Sequence, residues 1–234
     1  SAGGLAGAAG CGGAASLARA PGFPAEPWAW STREGRLVNA ARDDFEVVKR
    51  GGAGAVVLRA AARPVPADLD LSKGAARMGR TMRQAKGVGI AGPQVGLGLR
   101  VATLMLDYKT DKPYVVFVRN PIIVKRADET ADGYEGCLSV PGVGGLVRRN
   151  RWIKVEYTDA RGRVKSAEAD GPNAVLWQHE LDHLDGVLYL DRLQGELLPM
   201  DEVRRRRKAL DQKKGAALPG TWRRVASAYD VPLL

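Results

Sequence analysis

Both histidines of this 234-residue sequence, His179 and His183, fall within one five-residue window. The segment reads Gln178-His179-Glu180-Leu181-Asp182-His183. On a helix, residues four apart project from one face, a single turn apart. Two imidazoles so placed can bind one divalent metal. Glu180 follows the first histidine and lies beside that face, where its carboxylate can take a proton from a metal-bound water. The metal lowers the pKa of that water from about 15.7 to roughly 7, so hydroxide is available at neutral pH. Glu180 is then the general base, and afterwards the acid that protonates a leaving nitrogen. Such a motif also arises by chance on amphipathic helices. With every imidazole of the chain in this window, however, neither ring reads as routine core filling. The chemistry indicated is metal-dependent hydrolysis of an amide.

Two histidines do not complete a catalytic site, which ordinarily has three protein ligands and one open position. The residues leave the third ligand open. Downstream, Glu196 or Glu202 can act as a carboxylate ligand, as in zinc peptidases of the thermolysin type. Upstream, Cys137 sits in Glu135-Gly136-Cys137-Leu138-Ser139. A lone cysteine is more often a small buried hydrophobe, but Gly136 and the polar flanks make this an unusual core strand. The other cysteine, Cys11, lies in a very different context, so no disulfide framework is implied.

The elements that must position these groups are partly readable. Leu69, Leu71, Ala75, Met78 and Met82 recur at helical spacing over 67–85, a stripe ended by Gly87. Residues 99–106 and 114–124 read as strands. Residues 152–158 and 164–169 alternate around Asp159-Ala160-Arg161-Gly162, a hairpin. The motif helix runs over 173–184 and stops at Asp185-Gly186, and a third helix covers 199–213. Strands and helices mix without regular alternation. The fold class expected is therefore α+β, with mixed antiparallel sheets around a central motif helix and a C-terminal helix.

Hydrophobic residues make up 45% of the chain and charged residues 26%, as in an ordinary globular protein. No apolar run is long enough to span a bilayer, and neither a membrane nor a DNA partner is expected. Three segments follow: an Ala/Gly-rich extension over 1–44, a catalytic domain over 45–200 and a basic helix and tail over 201–234. Residues 1–25 hold one base, Arg19, and no acid, a composition that buries little; the absence of acids fits a transit-peptide remnant, while the scarcity of Arg and Ser does not. The net charge is +10, and from Asp201 onward nine bases stand against four acids, so +5 of it lies there. Arg204, Arg205, Arg206, Arg207 and Lys208 suit a polyanion such as RNA, or simply a solvated helix face.

Three segments together resemble the signature motifs of peptide deformylases, in order and spacing. They are Gly87-Val88-Gly89-Ile90-Ala91-Gly92-Pro93-Gln94, Glu135-Gly136-Cys137-Leu138-Ser139 and Gln178-His179-Glu180-Leu181-Asp182-His183. Val57-Leu58-Arg59 with Ala62-Arg63-Pro64-Val65 resembles the stretch before the first family helix, and the resemblance covers about residues 46–212.

The resemblance implies Cys137, His179 and His183 as metal ligands and Glu180 as the acid/base. It implies one divalent metal per chain, generally Fe(II), with Zn, Ni or Co able to occupy the site. Gln94 and the backbone N–H of Leu138 would stabilise the oxyanion formed by attack on a formyl carbon. The substrate implied is an N-formylmethionyl peptide, released as formate and a free amino terminus. Val88, Gly89, Ile90, Leu176, Trp177 and the segment 140–145 are expected beside it, with backbone pairing to the extended peptide. Glu135, Asp182 and Arg149 are expected to form a buried charge network orienting the motif helix. The ribosome is the partner implied, with residues 204–208 as docking element. A mitochondrion or plastid and a bacterial cytoplasm both fit. Two positions depart from the family pattern. Gly92 replaces an Ala, which is expected to loosen the approach to Gln94. Gly144 replaces an Arg that contacts the peptide beyond Met, which leaves Gly144 itself as the residue at that contact.

Overall fold

The computed structural model describes residues 44–215, apart from Ala53, Ala67, Asp68 and Asp70. The expected extension, apart from Asp44, and the end of the basic tail lie outside the described residues. Within them the chain builds two antiparallel sheets and three α-helices.

The larger sheet contains β1 (Gly89–Ala91), β2 (Val101–Leu106), β3 (Tyr114–Arg126), β6 (Trp152–Asp159) and β7 (Val164–Asp170), in the order β1-β2-β3-β6-β7. The smaller contains β4 (Thr130–Cys137), β5 (Val140–Asn150) and β8 (Leu198–Pro199), in the order β4-β5-β8. The helices are α1 (Ser72–Gln84), α2 (Gly171–Leu184) and α3 (Met200–Gly215).

β2 shows why the larger sheet needs a helix on each side. Its alternate residues point to opposite faces. Ala102, Leu104 and Leu106 join Leu176, Trp177, Leu181 and Leu184 of α2 in one core cluster. Val101 and Met105 join Ala75, Met78 and Met82 of α1 in a second. β3 divides likewise, with Val118 toward α2 and Val115 and Phe117 toward α1. A strand buried on both faces reads as a nearly continuous apolar run, as β2 and the first five residues of β3 do.

The structure moves several expected boundaries. α1 begins at Ser72 rather than at 67. Buried Leu71 sits at its N-cap, and Leu69 packs against the second cluster from outside the helix. At the other end the left-handed residue is Lys86, not Gly87, and the Gly87 N–H closes back on the Met82 carbonyl at 2.9 Å. Leu99 lies outside β2 and instead bridges Arg63. β3 runs on to Arg126 past register shifts against β6. α2 starts two residues early, with Pro172 in its first turn, where a missing N–H costs nothing.

β1, β4 and β5 were not expected as strands. β1 is three residues long, and β4 and β5 carry Gly133, Gly136, Gly142, Gly144 and Gly145. Pairing makes them strands where propensity does not. Thr130 through Gly136 meet Asn150 through Gly144 in continuous antiparallel register. α3 packs on this hairpin and on β8, burying Val203 completely.

Candidate metal centre

The motif helix enters the fold between the two sheets. Its Leu181 and Leu184 face the larger sheet, while His179, Glu180 and His183 turn toward the end of β4. Ligand atoms of Cys137, His179 and His183 lie within 4.8 Å of one another. Cys137 Sγ is 3.3 Å from His183 Nε2, and the two rings meet edge to face with centroids 5.0 Å apart. With metal bonds of about 2.3 Å to sulfur and about 2.0 Å to nitrogen, a tetrahedral ion separates such donors by roughly 3.6 Å. The residues present therefore fit a divalent ion. Glu196 is exposed and Glu202 is held by Arg205 and Arg206, so neither carboxylate joins the cluster.

The first histidine is fixed from behind. His179 Nδ1 is 2.8 Å from Glu135 Oε2, which leaves Nε2 for the cluster. Arg149 grips the same carboxylate with two bonds, of 2.8 and 2.9 Å, and reaches Asp182 at 2.5 Å. Arg192 then binds both oxygens of Asp182, at 2.6 and 2.7 Å. Glu135, Arg149 and Asp182 thus meet as expected. Arg192 was not foreseen, because it follows Asp182 by ten residues and belongs to no local pattern.

Burial and charge set the proton affinities. Burial alone would raise the Glu135 carboxyl, but Arg149 and His179 overcome it and hold it at about 2. Burial likewise opposes a Cys137 thiolate, yet the two imidazoles keep this thiol well below the ordinary range. Burial pushes Glu180 up to about 7 against the pull of the same imidazoles. Glu180 Oε2 is buried and has no hydrogen-bond partner among the described residues. A carboxylate near neutrality with an unpartnered oxygen is suited to moving a proton at physiological pH.

β1 brings the first motif to the same place. A Cβ on Gly89 would lie 2.2 Å from Glu180 Oε1 and 2.8 Å from Leu176 Cδ1, so only glycine admits the carboxylate. The chain then turns through a short 3-10 helix, Gly92–Val95. The Ala91 N–H donates to Gln94 Oε1 at 2.9 Å, which directs the amide nitrogen toward Cys137 Sγ at 3.4 Å and Ser139 Oγ at 3.3 Å. Gly92 does not loosen this approach. A Cβ there would meet the Leu99 carbonyl at 2.5 Å, so the missing methyl permits close packing instead.

The other expected residues divide. Val88 and Leu176 pack at the edge of the α2 cluster, and Leu138 lies against the α1 cluster. Ile90 is fully buried on the α1 side, because strand alternation turns it away from the face of Gly89. Trp177 is core, packed on Tyr157 at 5.5 Å, one helix position off the face that carries Leu176 and Glu180. Gly144 is paired on both sides, to Gly136 and Leu198, and a Cβ there would strike the Glu135 carbonyl at 2.4 Å. These three positions lie in the packing rather than at the centre. Tyr189, not anticipated, stacks on His179 with centroids 6.3 Å apart.

A helix-borne histidine pair, a thiolate and a buried carboxylate on an α+β scaffold define a metallohydrolase centre. The polypeptide deformylase family model matches residues 46–197, and the chain belongs to that family. Peptide deformylase 2 of Nostoc sp. is 41% identical over 127 residues, 52% of this chain and 71% of that protein. The peptide deformylase of Dictyoglomus thermophilum is 47% identical over 122 residues, 52% of this chain and 76% of that protein. Among solved structures, the Synechococcus elongatus peptide deformylase in complex with actinonin superposes with a TM-score of 0.61 at 34% identity, covering 74% of this chain and 89% of that one. A class I type b peptide deformylase from Acinetobacter baumannii gives 0.59 at 36% identity, covering 64% and 99%.

Proposed function

We propose that this chain hydrolyses the formyl group from the N-terminal formylmethionine of nascent polypeptides, yielding formate and a free amino terminus. The observation that carries the reading is the convergence of Cys137, His179 and His183 within 4.8 Å, with Glu180 Oε2 buried and unpartnered among the described residues. Cys137, His179 and His183 are the metal ligands in this reading. A divalent metal held there supplies Lewis acidity, making water nucleophilic at neutral pH and polarising the formyl oxygen. Glu180 takes the proton from the attacking water and delivers it to the departing amine nitrogen. The oxyanion that develops on the formyl oxygen receives hydrogen bonds from the Gln94 side-chain amide and the Leu138 N–H. Gly89 leaves room for the Glu180 carboxylate, and Val88 and Leu176 provide apolar surface for the methionine side chain.

One thiolate and two imidazoles suit several first-row metals. Fe(II) is the native ion in this reading, with Zn, Ni and Co able to use the same donors. The partner is the translating ribosome. α3 supports this with a surface face that carries Arg204, Arg207 and Lys208 beside Asp211 and Gln212. The setting is a compartment that begins proteins with formylmethionine, a bacterial cytoplasm or an organelle interior. The acid-free composition of residues 1–25 favours the organelle. The test is formate release from formyl-Met-Ala-Ser by anaerobically purified chain loaded in turn with Fe(II), Zn, Ni and Co. Turnover with at least one metal is expected, and none with any of them overturns the reading.

A further inference from the structure

We propose that Lys49 is a positioning residue for the oxyanion donors, acting through the peptide that joins Leu138 to Ser139; this rests on the deformylase reading above. Residues 45–50 precede the first motif and belong to no sheet, yet they touch both segments that supply the donors. The Val48 N–H donates to the Gln94 carbonyl at 2.8 Å, and the Arg50 N–H donates to the Ser139 carbonyl at 2.7 Å. Between them, Lys49 Nζ donates to the Leu138 carbonyl at 2.7 Å, a contact spanning 89 residues of sequence.

Leu138 and Ser139 need such an anchor. They form the turn between β4 and β5, where Cys137 pairs with Val140 after a register shift, so neither has a ladder partner. Their shared peptide is held at both ends. Its carbonyl accepts from the lysine, and its N–H, that of Ser139, points at Cys137 Sγ from 3.4 Å. A peptide unit is planar, so fixing both ends fixes its plane; with Cys137 paired to Val140 on the other side, the two dihedrals of Leu138 are confined between fixed ends. The Leu138 N–H, one Cα away, is the donor assigned to the oxyanion. A charge-assisted bond is roughly twice as strong as a neutral one. The ammonium also polarises the peptide, which strengthens the N–H directed at the thiolate.

Removing an oxyanion donor costs about 100- to 1,000-fold in kcat, so misaiming one without removing it should cost about tenfold. The experiment compares wild-type chain, Lys49→Met and Lys49→Arg, each metal-loaded, for kcat and KM on formyl-Met-Ala-Ser, metal content and amide exchange at Leu138 and Ser139. Lys49→Met is expected to lose about tenfold in kcat, with KM and metal content unchanged and exchange faster at both amides. Lys49→Arg should restore most of the rate. A Lys49→Met kcat within about twofold of wild type overturns the proposal. So does an equal loss in Lys49→Arg, or a loss that follows metal content. Absent wild-type turnover overturns the deformylase reading instead, and unchanged exchange at Leu138 and Ser139 then overturns the positioning as well.

Discussion

Glu135 is the residue on which the centre turns, since it touches His179 on one side and Arg149 on the other. Its carboxyl falls from an ordinary 4.5 to about 2. Each pKa unit corresponds to about 1.36 kcal/mol, so the ionised group contributes roughly 3 kcal/mol to folding. Because the folded value is the lower one, this contribution is full above the ordinary carboxylate range and fades as pH falls toward 2. Glu135→Gln, stripped of metal, is therefore expected to lose roughly that stability in urea unfolding at pH 7 and much less near pH 3. A deficit that is constant with pH would contradict the assignment. A histidine pair four apart declares itself through helix geometry. Cys137 needed a resemblance to be chosen over Glu196 and Glu202, because a third ligand from another element leaves no local pattern. Arg192 and Tyr189 left none either.

At the scale of elements, β1 sets the limits. Its three residues alternate between the catalytic face and the α1 core, so neighbouring substitutions should behave oppositely. Gly89→Ala drives a methyl into the Glu180 carboxylate and is expected to lower kcat at least about 100-fold while thermal unfolding shows a folded protein. Ile90→Val removes one methyl from the α1 cluster. It should cost about 1 kcal/mol of stability and leave KM for formyl-Met-Ala-Ser unchanged. A KM raised severalfold would mean that Ile90 faces the substrate after all. Strand alternation was the signal that separates these two residues, but three residues are too few to announce a strand. β4 and β5 were hidden differently. Their glycines depress strand propensity, and what makes them strands is each other together with α3, information that is not local to either segment. The hairpin of β6 and β7 was readable because its turn carries its own chemistry. Asp159 Oδ1 accepts from the Arg161 and Arg163 N–H groups, and Gly162 takes the left-handed conformation with φ 79°.

At the scale of the whole molecule, the charge excess of the sequence is redistributed by the fold. Arg205 and Arg206 are held by Glu202, and Arg207 donates to the Tyr134 carbonyl at 3.1 Å. Arg204 and Lys208, one turn apart on α3, share a basic face with Arg207. On the ribosome-docking proposal, Arg204→Glu with Lys208→Glu should abolish salt-sensitive co-sedimentation with ribosomes, whereas Arg205→Glu should weaken it little. Equal losses, or no co-sedimentation of the wild-type chain, would contradict docking through this face. The sequence showed the run of cations and the nearby Glu202 that holds Arg205 and Arg206; the Arg207 contact with Tyr134, from another element, left no local pattern. The central claim, that Glu180 moves the proton at a Cys137–His179–His183 metal centre, is tested most directly by Glu180→Gln. The measurement is kcat on formyl-Met-Ala-Ser together with bound metal. The account predicts one metal per chain and a loss of about 1,000-fold or more. Wild-type turnover with the metal retained would contradict it.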